Sequence, residues 1–140
     1  MRSEAAVLMV ALVLAGCSGR QSVLSERFDV CMHPDRSIRL HDMRMGPDFD
    51  MGSIEIDHSR VGVYVGWHPN VSHAAMRKGV DAVGGFRFLS KERTDGVDKI
   101  LVGYNRGDRR GPVFVLFETQ NIEDVENVLL SKGFLVDCEK

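Results

Sequence analysis

The chain has 140 residues, of which 44% are hydrophobic, 27% charged and 7% aromatic, the size and balance of one globular domain, which excludes a multidomain assembly. Its 14 glycines and 4 prolines are spread along the sequence, unlike the repeats and biased tracts of collagenous or disordered polypeptides. Eighteen basic against twenty acidic side chains leave a net charge of -2, so the uniform basic field of a nucleic-acid binder is missing and no nucleic-acid partner is expected.

Ala5 to Leu14 form an unbroken apolar run, AAVLMVALVL, preceded by Arg2 and followed by Ala15, Gly16 and Cys17. At roughly ten residues the run is half of the ~20 that cross a bilayer, and it has the length of a signal-peptide core. Leu14, Ala15, Gly16 and Cys17 resemble the lipobox of bacterial lipoproteins. The resemblance implies that residues 1–16 are a signal peptide, that cleavage falls before Cys17, and that the Cys17 thiol carries a diacylglycerol. Ser18, where an Asp would direct inner-membrane retention in that family, implies sorting to the outer membrane, facing the periplasm. Two or more acyl chains, at about 0.8 kcal/mol per buried CH₂, make release from the membrane negligible. Residues 17–26, small and polar after the cysteine, then read as a lipidated tether, and 27–140 as a single α+β domain.

With Cys17 assigned to lipid by that resemblance, Cys31 and Cys138 remain, near the two ends of the domain. Two thiols in an oxidising compartment pair where geometry permits, so a Cys31–Cys138 disulfide is expected. No CxxC spacing favours a redox role instead.

Along the domain, short segments of alternating or continuous apolar character predominate, which predicts a small, mostly antiparallel sheet. Ser37 to Met43 sets Ile38 and Leu40 against Arg39 and His41, as a half-buried strand requires. Ser53–Asp57 and Arg60–Trp67 read as a hairpin turning at His58 and Ser59, with Val61, Val63, Val65 and Trp67 on one face. The other face carries Gly62, Tyr64 and Gly66, where glycines mark close approach of another backbone or an aromatic ring. Between His68 and Gly84 the pattern is ambiguous, although Ser72 is placed to cap a short helix through Met76. Asp95-Gly96 is a type I′ turn signature between Phe86–Arg93 and Val97–Tyr104. Pro112–Thr119, with five apolar residues in a row, has the composition of a central strand buried on both faces and lying under a helix. That single C-terminal helix is expected at about 121–132: Asn121 as N-cap, Asp124 in the first turn, Ile122, Val125, Val128 and Leu129 on one face, Lys132 near its end and Gly133 as its stop. Phe134–Cys138 then returns as a short strand that brings the cysteines together.

Reaction motifs are missing from this sequence. It contains no G-x-S-x-G, H-E-x-x-H or Walker loop and no G-x-G-x-x-G that opens a helix after a strand. His68 and His73 are five positions apart, off the i, i+4 spacing of a helical metal pair, and no metal or cofactor is expected. Asp48 and Asp50 lack the further oxygen ligands of a calcium loop. Arg106-Gly107-Asp108 spells an adhesive tripeptide and reads as turn chemistry. A small hydrolase would have to draw on residues such as His41, His68 and Asp50.

Charge is polarised. Residues 77–110 hold nine basic and five acidic side chains, and 118–140 two basic and six acidic. Arg106, Arg109 and Arg110 crowd one loop, and arginine is favoured in interface hot spots and in clamping carboxylates or phosphates. The loop of Trp67, His68 and Asn70 is the second candidate for partner binding. In general plan, a small disulfide-linked sheet with one helix and no reaction motif resembles the immunity lipoproteins with which bacteria neutralise envelope-attacking toxins. The expectation is a non-catalytic module that binds a periplasmic protein. The alternative is an accessory structural subunit of an envelope or secretion complex.

Overall fold

A computed structural model describes residues 22–33, 38–77, 85–105, 107, 111–131 and 133–138. In chain order the elements are β1 (Ser22–Ser25), β2 (Val30–Met32), β3 (Ile38–Met45), β4 (Phe49–Ile56), β5 (Ser59–Gly66), α1 (His73–Arg77), β6 (Arg87–Thr94), β7 (Val97–Tyr104), β8 (Val113–Thr119), α2 (Ile122–Leu129) and β9 (Leu135–Asp137). Six strands form one sheet in the order β3-β4-β5-β8-β7-β6, and three form a second in the order β1-β2-β9. Every pairing is antiparallel.

Local chemistry explains the hairpins. Asp95 and Gly96 join β6 to β7 with φ of 52° and 78°, the two left-handed residues that a type I′ turn demands. Between β4 and β5 the turn is at Asp57 and His58, with φ of 47° and 71°, one residue earlier than the sequence suggested. Asp and His accept the left-handed region more readily than most side chains, so Asp57 takes the position in place of Ser59. The Ile56↔Ser59 register sets Ile54 opposite Val61, with both on the core face.

The large sheet is covered on both sides. On its first face Ile54, Val61, Val63, Val65, Ile100, Val115 and Phe117 pack against the small sheet (Leu24, Val30, Met32, Leu135), Phe28, Phe134 and the buried side of α2. On its second face Leu101, Phe114, Leu116 and Leu89 meet Ala75 of α1, with Val71 and Met76 alongside. β8 lies between β5 and β7, and its five leading residues are buried on both faces, as its composition predicts.

Several expectations change. The C-terminal helix ends at Leu129, short of residue 132. Ser131 N–H bonds back only three residues, to Val128 O at 3.2 Å, and Gly133 takes φ 84°, so the chain turns early enough to bury Phe134. The Asn121 side chain makes no capping bond; Thr119 Oγ1 instead accepts the Asn121 N–H at 3.1 Å. This helix also has a companion, α1, which Ser72 caps by accepting the Ala75 N–H on its Oγ at 3.3 Å. The folded domain begins no later than Ser22, inside the stretch read as tether, because Leu24 and Ser25 are buried.

Cys31 and Cys138 are bonded, 107 positions apart. The register Cys31↔Val136 carries Cys138 past β2, where its N–H bonds to Asp29 O at 3.1 Å. The lipobox and Cys17 lie outside the described residues.

Both edges of the large sheet are protected against further pairing. The β3 register slips between His41 and Arg44, with Asp42 at φ 50°, and the β6 register slips between Phe88 and Ser90. Bulges flanked by Arg39, Arg44, Lys91 and Arg93 are the usual means of blunting an exposed strand.

Candidate functional site

One end of the large sheet brings together chain segments that are distant in sequence. Gly66, the last residue of β5, pairs with Phe114, and Val113 pairs with Tyr104. The chain leaving β5 as Trp67-His68 therefore emerges beside the chain entering β8 through Gly111-Pro112. Trp67, His68, Pro112 and Phe114 line a hollow of about 340 Å³.

Its walls are held from beneath. The Trp67 ring meets Phe28 edge-on at 5.2 Å, and its Nε1–H is buried without a hydrogen-bond partner among the described residues. The backbone N–H of His68 donates to Tyr64 Oη at 3.0 Å, and the Tyr64 ring stacks on Phe49 at 5.7 Å. Tyr64 runs along its own strand across Gly66, where a Cβ would stand 2.7 Å from the phenol oxygen and 2.9 Å from Asp48 O. Gly66 is thus the glycine an aromatic neighbour requires. Burial raises the Tyr64 pKa above the ordinary value; the His68 N–H opposes this and the Asp48 charge adds to it.

The residues flanking the arginine loop stand at the same end. Arg106, Arg109 and Arg110 lie outside the described residues, but both feet of the loop are described. Tyr104 stacks on Phe86 at 4.6 Å, and its hydroxyl donates to Asp137 Oδ2 at 2.5 Å. Asn105 Oδ1 accepts the Gly107 N–H at 2.9 Å, and Gly107 and Gly111 take φ of 74° and 82°, which is turn chemistry. The Trp67-His68 segment and the two ends of the chain that flank the arginine loop, Tyr104-Asn105 and Gly111-Pro112, therefore meet at this end of the sheet. Asn70 is drawn away from them: its carbonyl accepts from Lys99 Nζ at 3.3 Å, where the chain crosses the second face toward α1.

His41, His68 and Asp50 do not converge. His41 pairs with Ser53 on the second face, its Nε2 3.4 Å from Glu55 Oε2, and Asp50 pairs with Val65 on the first. Asp50, 5% exposed, accepts from Ser25 Oγ at 2.6 Å and faces Arg27 at 3.4 Å. Arg27 also donates to Gly46 O and Pro47 O. Together they join the small sheet to the large one. Among the described residues no three His, Cys, Asp or Glu side chains are grouped to hold a metal ion.

Sequence reasoning missed Pro112, Phe114 and Tyr64 as parts of this site. Pro112 and Phe114 read as a strand start and a core residue, and only the β5–β8 pairing places them beside Trp67. No family model, curated protein or solved structure matches the chain.

Proposed function

We propose that this chain is a bacterial lipoprotein anchored through Cys17, displayed in the periplasm from the outer membrane, and that its domain is a non-catalytic protein-binding module. On this reading it is an immunity protein that inhibits an envelope-attacking effector. The observation that carries the reading is the convergence of the Trp67-His68 segment, the hollow above Phe114 and the feet of the arginine loop at one end of the sheet.

The mechanism is occlusion. A half-buried aromatic and a histidine on a pinned backbone, beside the feet of a loop whose sequence carries three arginines, supply the residue types that fill a cleft and exclude substrate. The hydrogen bond from His68 to Tyr64 and the ring contact of Trp67 with Phe28 reduce what must be ordered on binding. Anchoring both proteins' encounter to the membrane raises the effective concentration of the inhibitor.

Affinity capture of the tagged, lipidated protein from native envelope extracts, read by mass spectrometry, tests the reading. A stoichiometric hydrolase whose activity the purified chain inhibits is the expected result. Recovery of resident envelope components alone, with effectors expressed, would replace it with the role of an accessory structural subunit.

A further inference from the structure

Four residues separate Cys17 from Ser22, where β1 begins. An extended chain spans at most ~3.6 Å per residue, so Cys17 stays within roughly 18 Å of the small sheet. Ser22 pairs with Met32, and Met32 pairs with Leu135. At a strand spacing of about 4.8 Å, Leu135 is roughly 10 Å from Ser22. Leu135 in turn lines a groove with Phe86, Phe88, Val102, Leu129 and Leu130, closed by Ser131 and Gly133, between edge strand β6 and the end of α2.

The rim of this region is apolar and open to solvent. Phe88 is 53% exposed, Val23 of β1 50% and Leu130 38%. Phe88 pairs with Val102, a member of the first-face core, and Leu130 ends the helix that covers that face. Val23 precedes the buried Leu24 and so points away from the large sheet, outward on the same side. The second face over β3–β5 differs in its charge: Arg39, Glu55 and Arg60 stand there in register, and Met51, 51% exposed, is set beside Arg44.

We propose that the side of the domain bearing Val23, Phe88 and Leu130 rests on the membrane to which Cys17 is attached, with these three side chains entering the boundary between headgroups and acyl chains. The inference rests on the reading of Cys17 as lipidated, since the short tether is what holds this side against the bilayer. Lys91 and Arg93 lie on the same edge strand and already pair with Glu126 and Asp98 at 3.0 and 2.9 Å, so the three apolar side chains carry the contact. Acyl chains already supply the affinity; this surface sets the orientation.

The test uses the mature lipidated chain in vesicles of phosphatidylethanolamine and phosphatidylglycerol, with and without bromine on the acyl chains. Trp67 is the single native tryptophan, and its emission in the unsubstituted chain gives the background. Phe88→Trp and Leu130→Trp are expected to add blue-shifted emission that brominated lipid quenches, and Arg60→Trp, on the polar face, to add emission that it does not. Equal emission from positions 88 and 130 in both vesicle types, with the intact mass showing lipid on Cys17, would overturn the orientation and leave the anchor standing. An intact mass showing unmodified Cys17 would overturn the anchor and this inference together.

Discussion

Asp50 illustrates at the residue scale how a polar group becomes structural. A carboxylate this deeply buried is tolerated only when paired, and Ser25 and Arg27 pair it from the small sheet. Asp50→Ala leaves the buried Ser25 hydroxyl without its acceptor and takes the carboxylate from Arg27, which keeps Gly46 O and Pro47 O, and is expected to cost about 1–3 kcal/mol, read from the urea midpoint. Nothing around Asp50 in the sequence shows this, because its partner is 25 positions away and joined only by tertiary packing. Tyr64 carries a pH signature. Its folded pKa is raised, chiefly by burial, so the folded state favours the neutral phenol. That contribution is full below the ordinary tyrosine value of 10.0 and is lost as pH rises through the folded pKa. Denaturant titrations should show stability falling above that pH, and Tyr64→Phe should make the fall shallower; an unchanged alkaline slope would contradict the assignment.

Turns and bulges govern the element scale. Gly96 stands at φ 78° with open space around its Cβ position, so Gly96→Ala meets backbone strain alone, about 1–2 kcal/mol. At Gly52 a Cβ would lie 2.5 Å from Met43 Sδ, 2.8 Å from Met43 Cα and 2.9 Å from His41 O. Two of those atoms are backbone of the β3 bulge, which must move, so Gly52→Ala is expected to cost at least as much, about 2–3 kcal/mol; thermal unfolding of both variants compares them. The Asp95-Gly96 hairpin and β8 were legible because their signals are local: a turn dipeptide and a continuous apolar run. The small sheet was legible only at its C-terminal end, where a strand had to return for the cysteines to meet. Strands of four and three residues are too short to display a period, and β1 resembles a polar tether until Leu24 and Ser25 are seen buried. The early stop of α2 was hidden too, because its apolar spacing continues where tertiary packing of Phe134 ends the helix.

Across the whole molecule, the disulfide ties β2 to the residue after β9 and closes a span of 107 positions. The double substitution Cys31→Ser and Cys138→Ser is expected to lower stability by about 2–5 kcal/mol, measured by urea unfolding; no change would mean that packing alone holds the small sheet. The pairing was legible from the count of cysteines left once Cys17 is set aside, whereas the proposed site was legible only in pieces. Trp67-His68 and the arginine loop could each be named from residue type, but the meeting of Trp67-His68 with the loop's flanking residues follows from β5 pairing with β8, across two intervening strands of sequence, which no local pattern encodes. That adjacency is also what the most direct measurement addresses: quantitative capture from envelope extracts by the lipidated wild-type chain alongside one carrying Arg106→Glu, Arg109→Glu and Arg110→Glu. Retention of one effector hydrolase by the wild type, in equal amount to the bait, and its loss from the folded variant is the predicted result. The same proteins retained equally by both would contradict a binding site at this end of the sheet.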